Sequence, residues 1–393
     1  MLNNKLIWVL MIFLLIIVPS PILAEENEAN VEDILEEQLT DLSLEDINTV
    51  VDRFNRDVDQ VIPTLSFGEM LREFISGRFQ YDWKKFFEVI WKTLFKEILA
   101  NMRLLGQLLV LAVIASLLKI FQDAFKNPGV SRLSNGFIYL VLVIIALNSF
   151  AMATKIGIET ITNMVDFMHA LLPTLFTLLI SIGAVGTATI FQPIIFLIVS
   201  LVSTIIKTVV FPLISLAVVL SVVSSFTGEF KLSKMGSFIK QIGITILGLS
   251  LVVFFGALFI QGAAVSVADS ISLRAAKYLT GSFVPIVGGM FADALELVIG
   301  CSVFIQNAVG IIGLLIIFVM VSFPIIKILA LVLIYKFVSA VIEPIGEKVI
   351  VECVNNLGNT MMLIFLSVTT VAIMFFIVIT IMVGMANLTV MMR

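Results

Sequence analysis

Seven charged or amide side chains lie within or beside the apolar stretches of this sequence, and they are its best candidates for chemistry. In a lipid bilayer such groups are costly unless they face water or protein, so they commonly mark solute pathways or hydrogen bonds between helices. We predict that they line a passage, with hydrogen bonding between helices as the alternative. For one of them, Lys336, a side chain that reaches the membrane surface is a further alternative. The residues are Asp293, Glu296, Gln306, Asn307, Lys336, Lys207 and Lys327.

No catalytic or metal-binding pattern accompanies these residues. The chain has a single histidine, His169, and two cysteines, Cys301 and Cys353, whereas a structural zinc site uses about four such ligands. It has no phosphate-binding Gly-Lys-Ser/Thr loop and no nucleophile motif. We therefore predict a protein that is not an enzyme, needs no cofactor or metal and binds no nucleic acid. His169 is expected to be a hydrogen-bonded histidine near a membrane surface.

The composition is that of a membrane protein. Hydrophobic residues make up 60% of the chain and charged residues 13%, and the mean hydropathy is +1.14. Soluble domains have about 25% charged residues, so a soluble enzyme is excluded. We predict an all-α, polytopic membrane protein with about seven to nine spans that contacts membrane lipids.

Residues 1–24 have the layout of a secretory signal peptide. Lys5 is their only charge, an apolar core covers residues 6–18, and prolines precede Ala24 and the acidic Glu25. We predict cleavage after Ala24. An uncleaved first transmembrane helix is the alternative, but the apolar core has about 13 residues where a bilayer needs about 20.

Residues 25–101 form an acidic segment that should lie outside the cytoplasm. They carry 18 acidic and 8 basic residues, a net charge of −10, whereas residues 102–393 carry a net charge of +5. The segment should be a small helical one, with possible helix starts at Ser43 and Ser66, each followed three residues later by an acid. Residues 81–102 form an amphipathic helix predicted to lie on the membrane surface. A soluble helix packed on its own small domain is the alternative.

Residues 102–393 form the polytopic membrane domain. Lysine and arginine exceed acids around residues 119–132 and 229–240, which places those loops in the cytoplasm, whereas the acidic residues 343–352 should lie outside and Arg393 inside. The predicted spans are residues 104–121, 137–153, 167–186, two crossings with a tight turn within 190–226, then 242–265, 309–326, 328–341 and 361–385.

Two parts of the membrane domain, residues 171–265 and 283–385, are similar in outline. Each has a proline, a glutamine, a lysine (Lys207 or Lys327) and a Gly-Glu pair in that order. A duplication would give inverted repeats like those of many transporters, while chance similarity of apolar helices is the alternative. Inversion requires that residues 285–300 do not cross the bilayer. We predict a re-entrant or interfacial helix there, with Pro285, Gly288 and Gly289 in its first part.

The chain resembles the stage III sporulation protein AE family of endospore-forming bacteria over nearly its whole length. The resemblance lies in the signal sequence, the acidic segment with SFGEML at 66–71, the polytopic region, and FVPIVGGMFAD at 283–293 followed by QNAVG at 306–310. It implies a multi-pass protein of the mother-cell membrane that surrounds the engulfed forespore. It also implies partners, namely the other proteins of its operon and a forespore membrane protein.

Two functions from different classes follow. The first is a non-enzymatic component of a transenvelope channel or secretion-like complex between mother cell and forespore, required for late forespore development. In that case residues 25–101 would dock partners, and a homo-oligomer is allowed. The alternative is a self-sufficient secondary transporter, which the inverted repeat would support.

Overall fold

The computed structural model describes residues 44–57, 66–80, 82–125, 128–227, 233–283, 287–344 and 348–391, together with residues 35, 38, 39 and 42. Side chains are described in these ranges except at 57, 119–136, 225–233, 260–296 and 388–391. The predicted signal peptide, residues 1–24, lies outside the described residues.

The described residues form helices and turns and no strand, so the prediction of an all-α protein is confirmed. Four of the helices have 44 to 56 residues. The elements are α1 (Glu45–Asp57), α2 (Phe67–Ile75), α3 (Trp83–Ala100), α4 (Met102–Phe125), α5 (Pro128–Ser181), α6 (Val185–Ile205), a π-helical segment (Ile206–Val210), α7 (Phe211–Thr227), α8 (Ser233–Phe283), α9 (Val287–Ile342) and α10 (Lys348–Met391).

The starts of α2 and α3 are fixed by side chains that accept hydrogen bonds from free backbone amides. Ser66 caps α2, with its Oγ 3.4 Å from the Glu69 backbone N, as the spacing predicted. Asp82 caps α3, with its Oδ1 2.9 Å from the Lys85 backbone N. Such caps satisfy amides that have no partner within the helix. The other predicted start, Ser43, lies outside the described residues.

Among the described residues, five helical stretches are long and apolar enough to cross a membrane, and the pair α3 and α4, bent by 45°, allows a sixth. The predicted seven to nine spans are therefore not confirmed. The five stretches are Phe137–Ser181, Val185–Ser224, Lys234–Phe259, Leu297–Ile342 and Lys348–Asn387.

The difference arises because three pairs of predicted spans each lie in one helical stretch. The tight turn predicted within 190–226 is wrong, since the π-helical segment joins α6 to α7 with no loop. Likewise, residues 137–181 and 309–341 contain no break. Pro173, Pro193 and Pro324 lie inside helices and end none of them. Neighbouring helices and local π adjustments can satisfy the backbone groups that a proline frees.

One end of the bundle is defined by Tyr139, near the start of α5. Its hydroxyl donates to the Val222 carbonyl at 2.8 Å and lies 3.7 Å from the Cys353 sulfur. Val222 is close to the end of α7, and Cys353 is close to the start of α10. We call this the Tyr139 end.

The opposite end is defined by Asp166 of α5, and we call it the Asp166 end. Arg53 of α1 lies 3.7 Å from the Asp166 carboxylate. Nearby, Leu171 of α5 packs against Gly313, in the first half of α9, and Asn307 of α9 contacts Asn387, near the end of α10. The segment before the membrane domain and the end of α10 therefore lie at the same end.

This arrangement corrects the predicted orientation of two loops. The sequence predicted residues 228–240 and 343–352 on opposite sides of the membrane. In the structure, however, α7 and α9 end at the Tyr139 end, and α8 and α10 begin there. For the same reason α10 ends on the side of α1, not opposite to it. The cause is the unbroken α9, which is one candidate span where two were predicted, so that everything after it lies at the end of the bundle opposite to the predicted one.

We expect Gly310→Ala to lower the stability of the bundle by about 1–3 kcal/mol, a usual cost of overpacking. A methyl group at 310 would collide with the Cγ2 of Val383, a β-branched residue of α10 that cannot easily rotate away. Gly384→Ala is the matched control on the facing helix, because a Cβ there meets nothing within 4 Å. Equilibrium unfolding in mixed micelles measures both, and equal stabilities of the two variants would contradict the close approach of α9 and α10.

Candidate functional site: the polar contacts of α9 and α10

Helix α9 is the most enclosed of the candidate spans. Of its most apolar 18-residue window 78% is buried, against 44% or less in the other four. It packs along α10, its main neighbour, and also against α5 and α3. Five of the seven predicted site residues have described side chains, and four of these five lie on this helix. The candidate site is therefore built on its contacts.

Gln306 and Asn307 connect α9 to α10 at the Asp166 end. The fully buried Gln306 donates from Nε2 to the Met382 carbonyl at 3.1 Å, and its Oε1 accepts no hydrogen bond from the described residues. Asn307 and Asn387 pair reciprocally, with donor to acceptor distances of 3.2 and 3.3 Å. These contacts are the hydrogen bonds between helices that were the alternative to a passage. The passage role of both residues stays a prediction.

Lys336 forms hydrogen bonds with two asparagines of α10 at the Tyr139 end. Its ammonium donates to the Asn355 Oδ1 at 2.8 Å and to the Asn359 Oδ1. The two asparagines are four residues apart, so they lie on one face of α10. Gly358 lies between them, where a Cβ would be 3.3 Å from the Tyr335 Cβ and in ordinary van der Waals contact, at 3.6 Å, with the Lys336 Cγ. Among the described residues, no carboxylate pairs with this ammonium.

The structure does not bring the other predicted lysines to these contacts. Lys207, in the π-helical segment, donates to the Thr162 hydroxyl of α5 at 3.2 Å. Lys327 is exposed on α9. Asn307 and Lys336 are themselves about 44 Å apart along α9 at 1.5 Å per residue. The predicted residues therefore form separate contacts rather than one site.

The predicted re-entrant helix is only partly described. Pro285 lies outside the described residues, whereas Gly288 and Gly289 belong to the first turn of α9. The backbone from 287 to 300 is helical and continues without a break to Ile342. The side chains of Asp293 and Glu296 lie outside the described ones. The position of residues 285–300 at the membrane surface and the passage role of Asp293 and Glu296 stay predictions.

Two polar contacts were not used in the prediction of the site. Asn355 and Asn359 could have been found from their spacing of four residues around a glycine, but nothing in the sequence pairs them with Lys336. The contact of Tyr139 with Val222 joins residues 83 positions apart and has no local signal. His169 is hydrogen-bonded as predicted, with its Nε2 3.0 Å from the Ser200 Oγ and its ring stacked on Phe196.

The described residues contain no group of three or more His, Cys, Asp or Glu side chains that could hold a metal ion. Cys301 and Cys353 are buried free thiols. What the α9 and α10 contacts can do chemically is to donate and accept hydrogen bonds and, at Lys336, to present a positive charge.

Comparison with known proteins decides the family. The family model for stage III sporulation protein AE matches residues 65–386, which is most of the chain. A curated relative described as stage III sporulation protein AE of Bacillus subtilis (strain 168) is 35% identical over 395 residues, covering 98% of this chain and 99% of its own. The chain belongs to the stage III sporulation protein AE family. No solved structure matches it.

Membership makes this a sporulation protein and confirms the resemblance seen in the sequence. The matched region starts just before α2 and extends nearly to the end of α10, so it includes both ends of the bundle. The relative matches over nearly its full length, so the α1 region falls within that similarity.

We expect Asn307→Leu and Asn387→Leu each to destabilise the protein, because each leaves one half-buried amide without its partner. The double variant should recover about 0.6–1.7 kcal/mol relative to the sum of the two, the range for hydrogen bonds between membrane helices. Asn356→Leu, an exposed position on α10, is the control. Unfolding in mixed micelles gives the four stabilities. Additive effects of the two substitutions would mean that the amide pair does not form.

Proposed function

We propose that the protein is a non-enzymatic membrane component of a channel or secretion-like complex between mother cell and forespore. The observation that supports this best is that the bundle interior is filled with apolar side chains. Between the two sets of polar contacts of α9 with α10, the residues Ile312, Ile316 and Met320 of α9 are buried. Phe167 and Phe176 of α5 are also buried. A passage would therefore form with other chains, which favours a component over a self-sufficient transporter.

In this proposal the segment before the membrane domain docks the partners. Besides the contact of Arg53 with Asp166, Phe74 of α2 packs on Phe304 at 6.4 Å between ring centroids, and Phe86 of α3 packs on Phe318 at 5.4 Å. These contacts hold α1 to α3 against α5 and α9. The exposed carboxylates of α1, at Glu45, Asp46 and Asp52, would then face a partner with complementary basic groups.

Helix α3 supports contact with the membrane surface. One side packs on α9 through Phe86, while Phe87, Trp91, Phe95 and Leu99 are exposed at a spacing of four residues. Exposed aromatic residues beside lysines are typical of helices at headgroup depth. On its polar rim, the Lys92 ammonium lies 2.6 Å from the Glu88 carboxylate, and this hydrogen bond holds the pKa of Glu88 below its ordinary value.

In the proposed orientation, the Asp166 end lies outside the cytoplasm and the Tyr139 end lies in the mother-cell cytoplasm. The basic residues 126, 132, 231, 234 and 240 adjoin helix ends at the Tyr139 end, as the positive-inside rule requires. The signal sequence before residue 25 places the acidic segment outside in the same orientation. With α4 counted, the chain would make six crossings of the mother-cell membrane around the forespore.

Reconstitution tests the proposal. We expect the full-length protein alone in liposomes to release no entrapped dye and take up no solute. Addition of the other proteins of its operon and the forespore membrane partner should open a passage that releases the dye. Solute uptake by the protein alone would contradict the proposal and support a secondary transporter.

Exchange of the charges of Arg53 and Asp166 tests the docking role of α1 with a matched control. Arg53→Glu should reduce assembly with the partners, because it places two negative charges together and loosens α1 from α5. Asp166→Arg in the Arg53→Glu background should restore assembly. The pair is partly exposed and contributes only about 0.2–1 kcal/mol, so copurification with the partners is the sensitive readout. Equal assembly of all variants would remove α1 from the docking surface.

A further inference from the structure

One side of α5 carries polar and charged side chains in the middle of a mainly apolar helix. They recur every three or four residues, so they lie on one side of the helix. Residues on the opposite side of the same turns, such as Ile161, Met164 and Met168, are buried in the bundle. The polar residues are exposed or half-buried on its outside, and we call them the α5 polar stripe: Lys155, Glu159, Thr162, Asp166 and His169.

Polar side chains of the next helical stretch contact the stripe. The Ser200 Oγ of α6 lies 3.0 Å from the His169 Nε2, and the Lys207 ammonium donates to the Thr162 hydroxyl at 3.2 Å. Lys207 is the only charged residue within 185–227, and it lies in the π-helical segment. Such π-helical turns are frequent at functional sites. The single charge of this stretch is therefore placed beside the charges of α5.

The charged groups of the stripe are open to their surroundings. Lys155 and Glu159 lie 3.7 Å apart, with side chains that are 77% and 60% exposed. Asp166 is 40% exposed beside Arg53. Along α5, at 1.5 Å per residue, Lys155 lies about 16 Å from Asp166. This is about half the thickness of a bilayer's hydrocarbon core, so the stripe extends from the Asp166 end well into the bundle.

The exposed sides of two other candidate spans are apolar. Residues 242–259 of α8 contain no charge and expose Leu249 and Val252, and residues 353–391 of α10 contain no charge and expose Leu366 and Ile373. Such surfaces suit lipid. Charged residues within membrane spans instead face protein or a water-filled cavity, and they commonly mark solute pathways.

We propose that the α5 polar stripe faces water and is the part of the passage wall that this chain contributes. The inference rests on the proposed function, in which the passage forms with other chains, and it identifies the side of the bundle that those chains complete. The passage would open at the Asp166 end, beside α1. Because the stripe carries charges of both signs together with hydroxyl and imidazole groups, it suits hydrated polar solutes.

Thiol reactivity of the full-length protein in membranes tests whether the stripe faces water. Lys155→Cys and Glu159→Cys are made in a background without Cys301 and Cys353. A thiol that faces lipid stays protonated, so both variants should react with a small water-soluble thiosulfonate at least about tenfold faster than a lipid-facing control.

The matched controls are Ile244→Cys and Leu249→Cys on the exposed side of α8. They lie at a similar height in the bundle, because Gly157 of α5 faces Phe211 and Gly243 of α8 faces Leu213, both of α7. Equal rates at the stripe and control positions would overturn the inference. Equally fast reactions would mean that this height lies outside the membrane, and equally slow ones that the stripe is not wet.

The complex reconstituted with its partners tests whether the wet surface lines the passage. A bulky maleimide on Lys155→Cys should block dye release, whereas the same label on Lys348→Cys, exposed at the start of α10, should not. Continued release after complete labelling at 155, or protection of that thiol by the partners, would overturn the wall. Failure of the unlabelled complex to release dye would instead contradict the proposed function, while the rates in the protein alone still decide whether the stripe faces water.

Discussion

Helix α9 lies at the centre of the bundle, and α2 to α5, α8 and α10 pack against it. Its main contacts are with α10 and α5, while α2 meets it at Phe304 and α3 meets it at Phe318, near its middle. Because it is unbroken from Val287 to Ile342, the chain does not reverse direction along it. The end of the bundle at which α10 begins follows from that constraint.

The polar residues of α9 that bond to α10 lie on either side of a mainly apolar stretch. Gln306 and Asn307 bond to α10 near the Asp166 end, and Lys336 bonds to α10 near the Tyr139 end. Between them most of the residues that α9 buries are apolar, and such surroundings strengthen hydrogen bonds and raise the cost of an unpaired group. The close approach of α9 to Val383 of α10 at Gly310 likewise leaves no room for a methyl group between the two helices.

The helical class and some local features could be predicted from the sequence, because they depend on nearby residues. Composition indicated an all-α protein, and Ser66 and its acid three residues later indicated a helix start. The absence of a helix end within residues 137–181 and 309–341 could not be predicted, because the spans were divided at about 20 residues per crossing and nothing local in the sequence shows that one helix is about twice that long. Because two predicted spans lie in the single helix α9, the predicted side of the following loop was reversed. The partners of Lys336 were also out of reach, because they lie 19 and 23 residues away on another helix.

The most direct test of this account is the accessibility of single cysteines to a membrane-impermeant thiol reagent in intact cells. The exposed positions Lys234 of α8 and Lys348 of α10 mark the Tyr139 end, and Asp52 of α1 marks the Asp166 end. In a background without Cys301 and Cys353, the account predicts that Lys234→Cys and Lys348→Cys are labelled alike and Asp52→Cys oppositely. Opposite labelling of Lys234→Cys and Lys348→Cys would contradict a single crossing by α9.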